Sequence, residues 1–519
     1  MDDASPPPTN PLMLFAFLPI SNHDPSYHPR KWPSISEVVE EIQQLYSIAF
    51  PMIITGLLLY GKSLISMLFM GRLGKHVLAG GSLSIGFANI TGYSVLSGLA
   101  MGMEAISSQA YGAEQWSLMG HALQRTIALL LVTCIPVTLL WVNVEPILLF
   151  CGQDPAITAV ASTYLSFSLP ILVFQSFLNP IKIYLRTQKI TMPLTVGAAI
   201  ALILHVPANY FLICLLGLGI QGAALAAALF DFHLLLALLI YLRFSSLHEN
   251  SSRGWSWECF REWKPLLNLA IPSCVSVCLE WWWYELMIVF SGLLADAPDA
   301  ISTMGILIQT TSLVYIFPSA LSLAVSTRVG NELGANRPER ARLSTKVALL
   351  SALFMGCTAM AFTTTLRDVW GRAFTSDPAI VSLTAMTLPF VGLCELGNCP
   401  QTAGCGVLRG SARPSLAANI NLACFYGVGM PIAVVMGFVL EMGLVGLWLG
   451  LLAAQVTCAL VMVCTLLTTD WSLQAKRAKE LMGGGDGEYK EIREDRDSLC
   501  SKEIEKENLE ETISVKVVE

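Results

Sequence analysis

Long apolar runs recur along the chain, each near or above the ~20 residues that an α-helix needs to cross a bilayer, and shorter polar segments separate them. Twelve such runs are predicted as membrane-spanning helices, at residues 46–70, 78–102, 122–149, 157–178, 192–214, 219–241, 265–291, 301–327, 345–366, 380–403, 415–440 and 443–468. Inside lipid every backbone N–H and C=O must find a local partner, so helix is the form these runs should take. Composition agrees, since 54% of the 519 residues are hydrophobic and only 13% are charged. That is far from a soluble average and argues against a soluble enzyme and against a nucleic-acid partner. The expected fold class is an all-α polytopic membrane protein embedded in a lipid bilayer.

The flanks read differently. Residues 1–41 form a Pro-rich arm, expected to be disordered, and the apolar run from Leu12 to Ile20 has no basic segment before it, so it is not read as a cleavable signal. Residues 471–519 hold 9 Lys/Arg and 13 Asp/Glu, net −4, with a Gly-Gly-Gly-Asp-Gly break at 483–487. A tail of that kind is expected to stay disordered, and it is a candidate for recruiting a cytosolic partner. It supplies more than half of the chain's formal charge of −7, so the overall acidity carries no information about a substrate.

Orientation follows from the basic residues, because positive charge near helix ends is retained on the cytosolic face. Lys182, Arg186 and Lys189 follow the fourth run; Arg243, Arg253, Arg261 and Lys264 follow the sixth; Arg328, Arg337, Arg340, Arg342 and Lys346 follow the eighth; Arg409 and Arg413 follow the tenth. The connections after runs three, five, seven and eleven carry no Lys or Arg, while Arg72, Lys75, Arg367 and Arg372 are exceptions. Both termini are therefore expected in the cytosol, and the basic loop 328–342 is explained by this bias alone. The 14 cysteines lie mostly in apolar runs or on the predicted cytosolic side, so they read as small packing residues rather than a disulfide framework. No set of metal-ligand spacing is visible, and no metal site is expected.

The second half of the chain restates the first. Pro51 is matched by Pro272, Gly112-Ala113 by Gly334-Ala335, Asp154-Pro-Ala-Ile157 by Asp377-Pro-Ala-Ile380 and Leu169-Pro170 by Leu388-Pro389. Leu185-Arg186 is matched by Leu408-Arg409, Pro193 by Pro414, and Gly219-x-x-Gly222 by Gly443-x-x-Gly446, with all offsets between 219 and 224. Seven ordered matches at nearly constant offset imply duplication, a property of secondary transporters. Each copy holds six runs, an even number, so the copies share one orientation and should be related by an axis along the membrane normal. The expected organisation is a six-helix lobe at 42–243, a connector at 244–264 and a second lobe at 265–470, with a solute cavity between the lobes.

Chemistry concentrates in Cys278-Leu-Glu-Trp-Trp-Trp-Tyr-Glu285, which sets two acids in a spanning segment. Even low estimates put an acidic side chain at the bilayer centre at roughly +2.5–3.5 kcal/mol, so Glu280 and Glu285 must face a wet cavity or a partner. Five residues apart on an ideal helix they are separated by about 140° and roughly 7.5 Å. One is expected to line the cavity and the other to reach a neighbouring helix. Asn209, Tyr210, Trp283, Tyr284, Gln309, Asn398 and Gln401 are further candidates for lining a cavity, with interhelical hydrogen bonding as their structural alternative. Lys62 is a candidate to neutralise an acid, Asp231 to reach water from near a helix end, and His205 is expected to be a satisfied interior histidine. Gly56-Leu-Leu-Leu-Tyr-Gly-Lys-Ser63 has the spacing of a Gly-x-x-x-x-Gly-Lys-Ser/Thr loop but lies inside the first apolar run rather than between a strand and a helix, so no ATP site and no cofactor is expected; a proton gradient is the expected energy source.

Four segments together resemble one family: Gly102-Met-Glu-Ala-Ile-Ser-Ser-Gln-Ala-Tyr-Gly-Ala113, Cys278-Leu-Glu-Trp-Trp-Trp-Tyr-Glu285, Val329-Gly-Asn-Glu-Leu-Gly-Ala335 and Glu395-Leu-Gly-Asn-Cys-Pro-Gln-Thr-Ala-Gly-Cys-Gly-Val-Leu-Arg-Gly410. Over about Ile42 to Trp471 the chain is similar to plant members of the multidrug and toxic compound extrusion (MATE) family, the DETOXIFICATION proteins. The resemblance implies a V-shaped pair of six-helix lobes with a pseudo-twofold along the membrane normal, and export of organic solutes, including xenobiotics, plant metabolites or hormones, in exchange for protons. It implies proton and substrate handling by acids on the seventh and tenth helices, at positions matching Glu280, Glu285 and Glu395, and it places Glu104 and Gln109 at a helix end suited to a cytosolic gate. Some prokaryotic members couple through an aspartate on the first helix; this chain has no acid between Tyr46 and Met70 and offers Lys62 instead. A carboxylate in a poorly hydrated cavity is the kind of group that exchanges protons near neutral pH. Two other classes stay open at this point: a membrane sensor or scaffold that kept a transporter fold, and an uncoupled lipid-linked flippase. The membrane is open too, plasma membrane or an endomembrane such as vacuole, endosome or Golgi.

Overall fold

The computed structural model describes residues 34–245 and 263–483. Twelve helices among the described residues are long and apolar enough to span a membrane. They are α1 (Ile35–Arg72), α2 (His76–Gly112), α3 (Trp116–Val142), α4 (Pro155–Thr187), α5 (Met192–Leu215), α6 (Gly219–Phe244), α7 (Trp263–Ser291), α8 (Pro298–Gly334), α9 (Pro338–Thr365), α10 (Pro378–Gly410), α11 (Pro414–Val439) and α12 (Gly443–Leu467). A shorter helix, α13 (Trp471–Leu481), follows.

The repeated sequence signals have local structural causes. In each Asp-Pro-Ala-Ile copy the aspartate is a helix N-cap: Asp154 Oδ1 accepts from Ala156 N at 2.8 Å and Ile157 N at 3.1 Å, and Asp377 Oδ1 accepts from Ala379 N at 2.9 Å. The proline sits in the first turn, where its missing N–H costs nothing. Positive-φ residues recur in the same way: Glu114 with Asn336, Lys189 with Ala412, Gly217 with Glu441 and Gly219 with Gly443. Their offsets of 222, 223, 224 and 224 match those of the sequence repeat, so the turns are duplicated along with the helices. The ends of α5 and α11 also share a stretch of π-helix, at Tyr210–Leu215 and Val435–Val439.

Each half has its own core. Trp141, Leu165, Leu172, Phe230 and Leu234 belong to the first, and Trp283, Phe425, Leu447, Trp448 and Leu451 to the second. The N-terminal portions are exchanged, because Leu45, Ile48 and Ala49 of α1 pack into the second core while Leu266 and Leu269 of α7 pack into the first. α1 and α7 thus lash the halves together at the end of the bundle where α2, α4, α8 and α10 finish, called here the basic end.

Several boundaries differ from the sequence reading. α1 starts at Ile35, inside the arm expected to be disordered, where Ser34 and Glu37 form a reciprocal capping box (Ser34 N to Glu37 Oε2, 2.8 Å; Glu37 N to Ser34 Oγ, 3.3 Å). α4 runs on to Thr187, so Lys182 and Arg186 lie within the helix rather than beyond it. The third run is split into α3 and a short helix, Val144–Phe150. The charged tail is not wholly irregular either, since α13 is capped by Asp470 and buries Trp471, Gln474, Ala475 and Ala478, an amphipathic face that net-charge counting overlooks. The expected disorder of 1–33 and 484–519, the signal-peptide reading and most of the connector fall outside the described residues.

Candidate functional site

In the second half, small residues on α10 allow neighbouring helices to approach closely. A Cβ at Gly397 would collide with the backbone of Gln455 on α12, and one at Gly392 with Met360 and Thr363 on α9. Glu395, between these glycines, is 1% exposed. Asn398 Nδ2 donates to its Oε2 at 2.9 Å, and Cys399 Sγ stands 3.9 Å from the same oxygen. Asn398 Oδ1 in turn accepts from Gln455 Nε2 at 3.2 Å, and the Thr402 hydroxyl lies 3.5 Å from it and 3.2 Å from Gln401 Oε1. The Glu280 carboxylate on α7 lies in range of Gln401 and of Tyr315 on α8. Polar side chains therefore run from Glu395 through Asn398 and Thr402 to Gln401, which faces Glu280. Asn421 on α11 joins it, accepting from Gln401 Nε2 at 3.2 Å and donating to Ser276 Oγ at 3.2 Å.

Tyr284, one turn beyond Glu280 on the same face of α7, lies near both carboxylates, and the charges of Glu280 and Glu395 act on one another. Glu280 is only half-buried, with Arg409 as the opposing charge in range. The two acids thus sit at the exposed and the enclosed end of one run of polar groups.

Glu285 does not join them. Its carboxylate faces α2 of the first half, with its oxygens 3.5 and 3.9 Å from where a Cβ on Gly86 would stand. Beside it, Trp282 Nε1 donates to the Ile90 carbonyl on α2 at 3.2 Å. Of the remaining sequence candidates, Gln309 stands at the junction of the halves, where Tyr60 Oη on α1 donates to its Oε1 at 3.3 Å. Trp283 is a core residue, 1% exposed and packed edge-on against Phe425 and Tyr426. Asn209 is buried and holds His205 (Nδ2 to the His205 carbonyl, 2.8 Å), while Tyr210 is exposed. Tyr60, Tyr315, Asn421 and Gln455 were missed; their signal was faint, single polar groups within apolar runs.

A second constellation closes the basic end. Arg186 of α4 and Arg409 of α10, which occupy equivalent positions in the two copies, converge on Glu104 of α2 at 2.7 and 3.4 Å. Gln109 Nε2 donates to the Gly410 carbonyl at 2.9 Å, and Asn331 Nδ2 to the Thr187 carbonyl at 3.3 Å. Glu41 of α1 takes two hydrogen bonds from Arg328 of α8, at 3.0 and 2.8 Å, and a short one from Ser344 of α9; Arg328 also pairs with Glu332 at 2.9 Å. All these acids and both Arg186 and Arg328 are buried. The glycines of the repeated Gly-Ala pair make the closure possible, since a Cβ at Gly112 would strike the Asn331 carbonyl and one at Gly334 the Gln109 carbonyl.

Comparison with known proteins fits this architecture. The family model described as MatE matches twice, over residues 51–211 and 272–435, starts that are 221 residues apart, the spacing of the internal repeat. The chain belongs to the MATE family. Among its relatives in Arabidopsis thaliana, Protein DETOXIFICATION 48 is 55% identical over 452 residues, covering 87% of this chain and 85% of the relative, and Protein DETOXIFICATION 49 is 55% identical over 472 residues, covering 91% and 93%. The crystal structure of the eukaryotic MATE transporter AtDTX14 superposes with a TM-score of 0.83 at 30% identity, over 86% of this chain and 100% of that one. The Vibrio cholerae MATE transporter VcmN, at 17% identity and a TM-score of 0.75, shares the fold. This MATE protein is accordingly a multi-pass transporter and not an enzyme.

Proposed function

We propose that the protein exports small organic solutes in exchange for protons by alternating access, with Glu280 and Glu395 as the coupling acids. The polar cluster between these two carboxylates carries this reading. Two acids share the cluster with Arg409, which is already held by Glu104, so the site attracts positive charge and can meet that demand with a proton or with a cationic group on a solute. Competition between the two couples their movements, provided that their relative affinities differ between the two arrangements of the halves. The cluster also links the two sites: a change of protonation at half-buried Glu280 is felt by enclosed Glu395 through the reorientation of the hydroxyl and amide groups between them.

The positive-inside rule sets the basic end, with Arg186, Arg328 and Arg409, in the cytosol. The salt-bridged closure there is then the cytosolic gate, of which Glu104 and Gln109 are parts, and this arrangement is the one closed to the cytosol. A membrane sensor or scaffold has no need of linked carboxylates, nor has an uncoupled flippase, which supports transport with coupling. The host membrane is the plasma membrane or an endomembrane with an acidic far side. The test is reconstitution in proteoliposomes loaded with ethidium and, separately, benzoate as solutes. An imposed inward proton gradient accelerates the efflux of at least one solute and its collapse abolishes the acceleration; efflux indifferent to the gradient would overturn the proposal.

A further inference from the structure

The first half contains a polar cluster of opposite sign. Lys62 Nζ on α1 lies 2.9 Å from Asp231 Oδ1 on α6 and 4.6 Å from the centre of the Phe230 ring. The other Asp231 oxygen accepts from Gln175 Nε2 on α4 at 2.8 Å, so the only acid of the cluster has both oxygens engaged. His205 on α5 is tied down at both ring nitrogens, with Ser66 and Asn209 at 3.0 Å from Nε2 and the Ala226 carbonyl at 3.2 Å from Nδ1.

Lys182 adds a second ammonium. It follows Gln175 by seven residues, two turns along α4, and so lies on the same face. Among the described residues it enters no ion pair and no hydrogen bond, and the charged groups acting on it are Asp231, which attracts it, and Lys62, which repels it. The nearest basic neighbour along α4, Arg186, turns instead to Glu104. Escape of the Lys182 head group to the cytosolic solvent is obstructed, because Arg186, Thr187 and Gln188 beyond it are all buried in the closure. The side chain is nonetheless half-buried rather than enclosed. Lys62 thus takes the one carboxylate of the cluster and leaves Lys182, on the same face of α4 as Gln175, without an ion pair among the described residues, and an uncompensated charge inside a lobe is costly unless a counter-charge comes to it.

We propose that the first half holds an anion subsite for a small organic carboxylate, whose charge is taken by Lys182, with Lys62 held in place by Asp231 as the second positive group. The transport cavity is then bipolar, cationic on the first-half side and acidic at Glu280 and Glu395, and suited to solutes with a carboxylate. The assignment concerns binding and stands apart from proton coupling.

Isothermal titration of the purified full-length chain in nanodiscs with benzoate, and with benzamide as its uncharged counterpart, tests it. The wild type binds benzoate at least about tenfold more tightly than benzamide, Lys182→Gln removes that preference, Lys182→Arg keeps it, and Glu339→Gln, at an exposed acid outside the cavity, leaves it unchanged. Equal treatment of the two compounds by the wild type, or a benzoate preference that survives in Lys182→Gln, overturns the proposal. Should Lys182→Gln not fold, the wild-type preference and its retention in Lys182→Arg decide. Binding is read without a gradient, so a failure of proton-driven export in proteoliposomes and a failure of this subsite are separate results.

Discussion

At the level of residues, the two glutamates of the Trp-rich segment differ in surroundings because helical geometry turns them apart. Glu280 enters the second half and meets Gln401 and Tyr315, whereas Glu285 faces Gly86 of the other half. Glu104 is the other decisive acid. It is held between two arginines that the duplication made equivalent, at 2.7 and 3.4 Å, and no acid stands at the equivalent position of the second copy, Ser326. Removing one partner from a buried charge network costs about 3–5 kcal/mol. Glu104→Gln is therefore expected to lower thermal stability markedly in this arrangement of the halves, and more than Glu339→Gln, an exposed acid whose pairing with Arg342 at 3.8 Å is worth little. Unfolding followed by tryptophan fluorescence checks the difference. The sequence marked Glu280 and Glu285 because acids are costly in apolar runs, and the family resemblance added Glu395 and Glu104. It did not mark Glu41 or Arg328, which look like ordinary solvated helix-end charges until α1 and α8 are seen side by side.

At the level of helices, most starting points were legible, because capping and proline signals act locally. Asp154 and Asp377 do the same work in the two copies, so Asp154→Ala and Asp377→Ala should each cost about 1 kcal/mol, seen as similar downward shifts of the unfolding midpoint. Helix endings at the basic end were not legible. There α1, α4 and α8 extend beyond their apolar runs, carrying charged residues that are satisfied by helices distant in sequence, and hydropathy registers only the charge. The close approach of α2 and α8 was hinted at by the repeated Gly-Ala pair. Gly112→Val should force these helices apart, at a cost of about 1–3 kcal/mol from overpacking against the Asn331 carbonyl. Gly71→Val, where nothing lies within 4 Å of the added carbon, is the control and should be near neutral in the same unfolding experiment.

At the level of the whole molecule, duplication produced two halves with separate cores, and the exchange of the N-terminal portions of α1 and α7 ties them at one end. Ion pairs close that end, a kind of contact that can be broken and remade by small displacements of rigid halves. If the halves alternate, Gln109 becomes accessible from the cytosol in the other arrangement. A Gln109→Cys protein should then react slowly with a membrane-impermeant thiol reagent at rest and faster while a proton gradient drives transport, measured by mass spectrometry of that peptide. Unchanged labelling would count against alternation. The chemistry is asymmetric despite the repeat: acids gather in the second half and lysines in the first, which the near-constant offset of the sequence matches does not reveal. The most direct test of the central claim compares Glu280→Gln, Glu395→Gln and Glu285→Gln with the wild type in gradient-driven efflux from proteoliposomes. The account predicts that the first two lose at least about tenfold of the gradient-dependent rate, a loss of roughly 1.4 kcal/mol or more, while Glu285→Gln stays gradient-dependent; Glu280→Gln and Glu395→Gln proteins that respond to the gradient as the wild type does would contradict it.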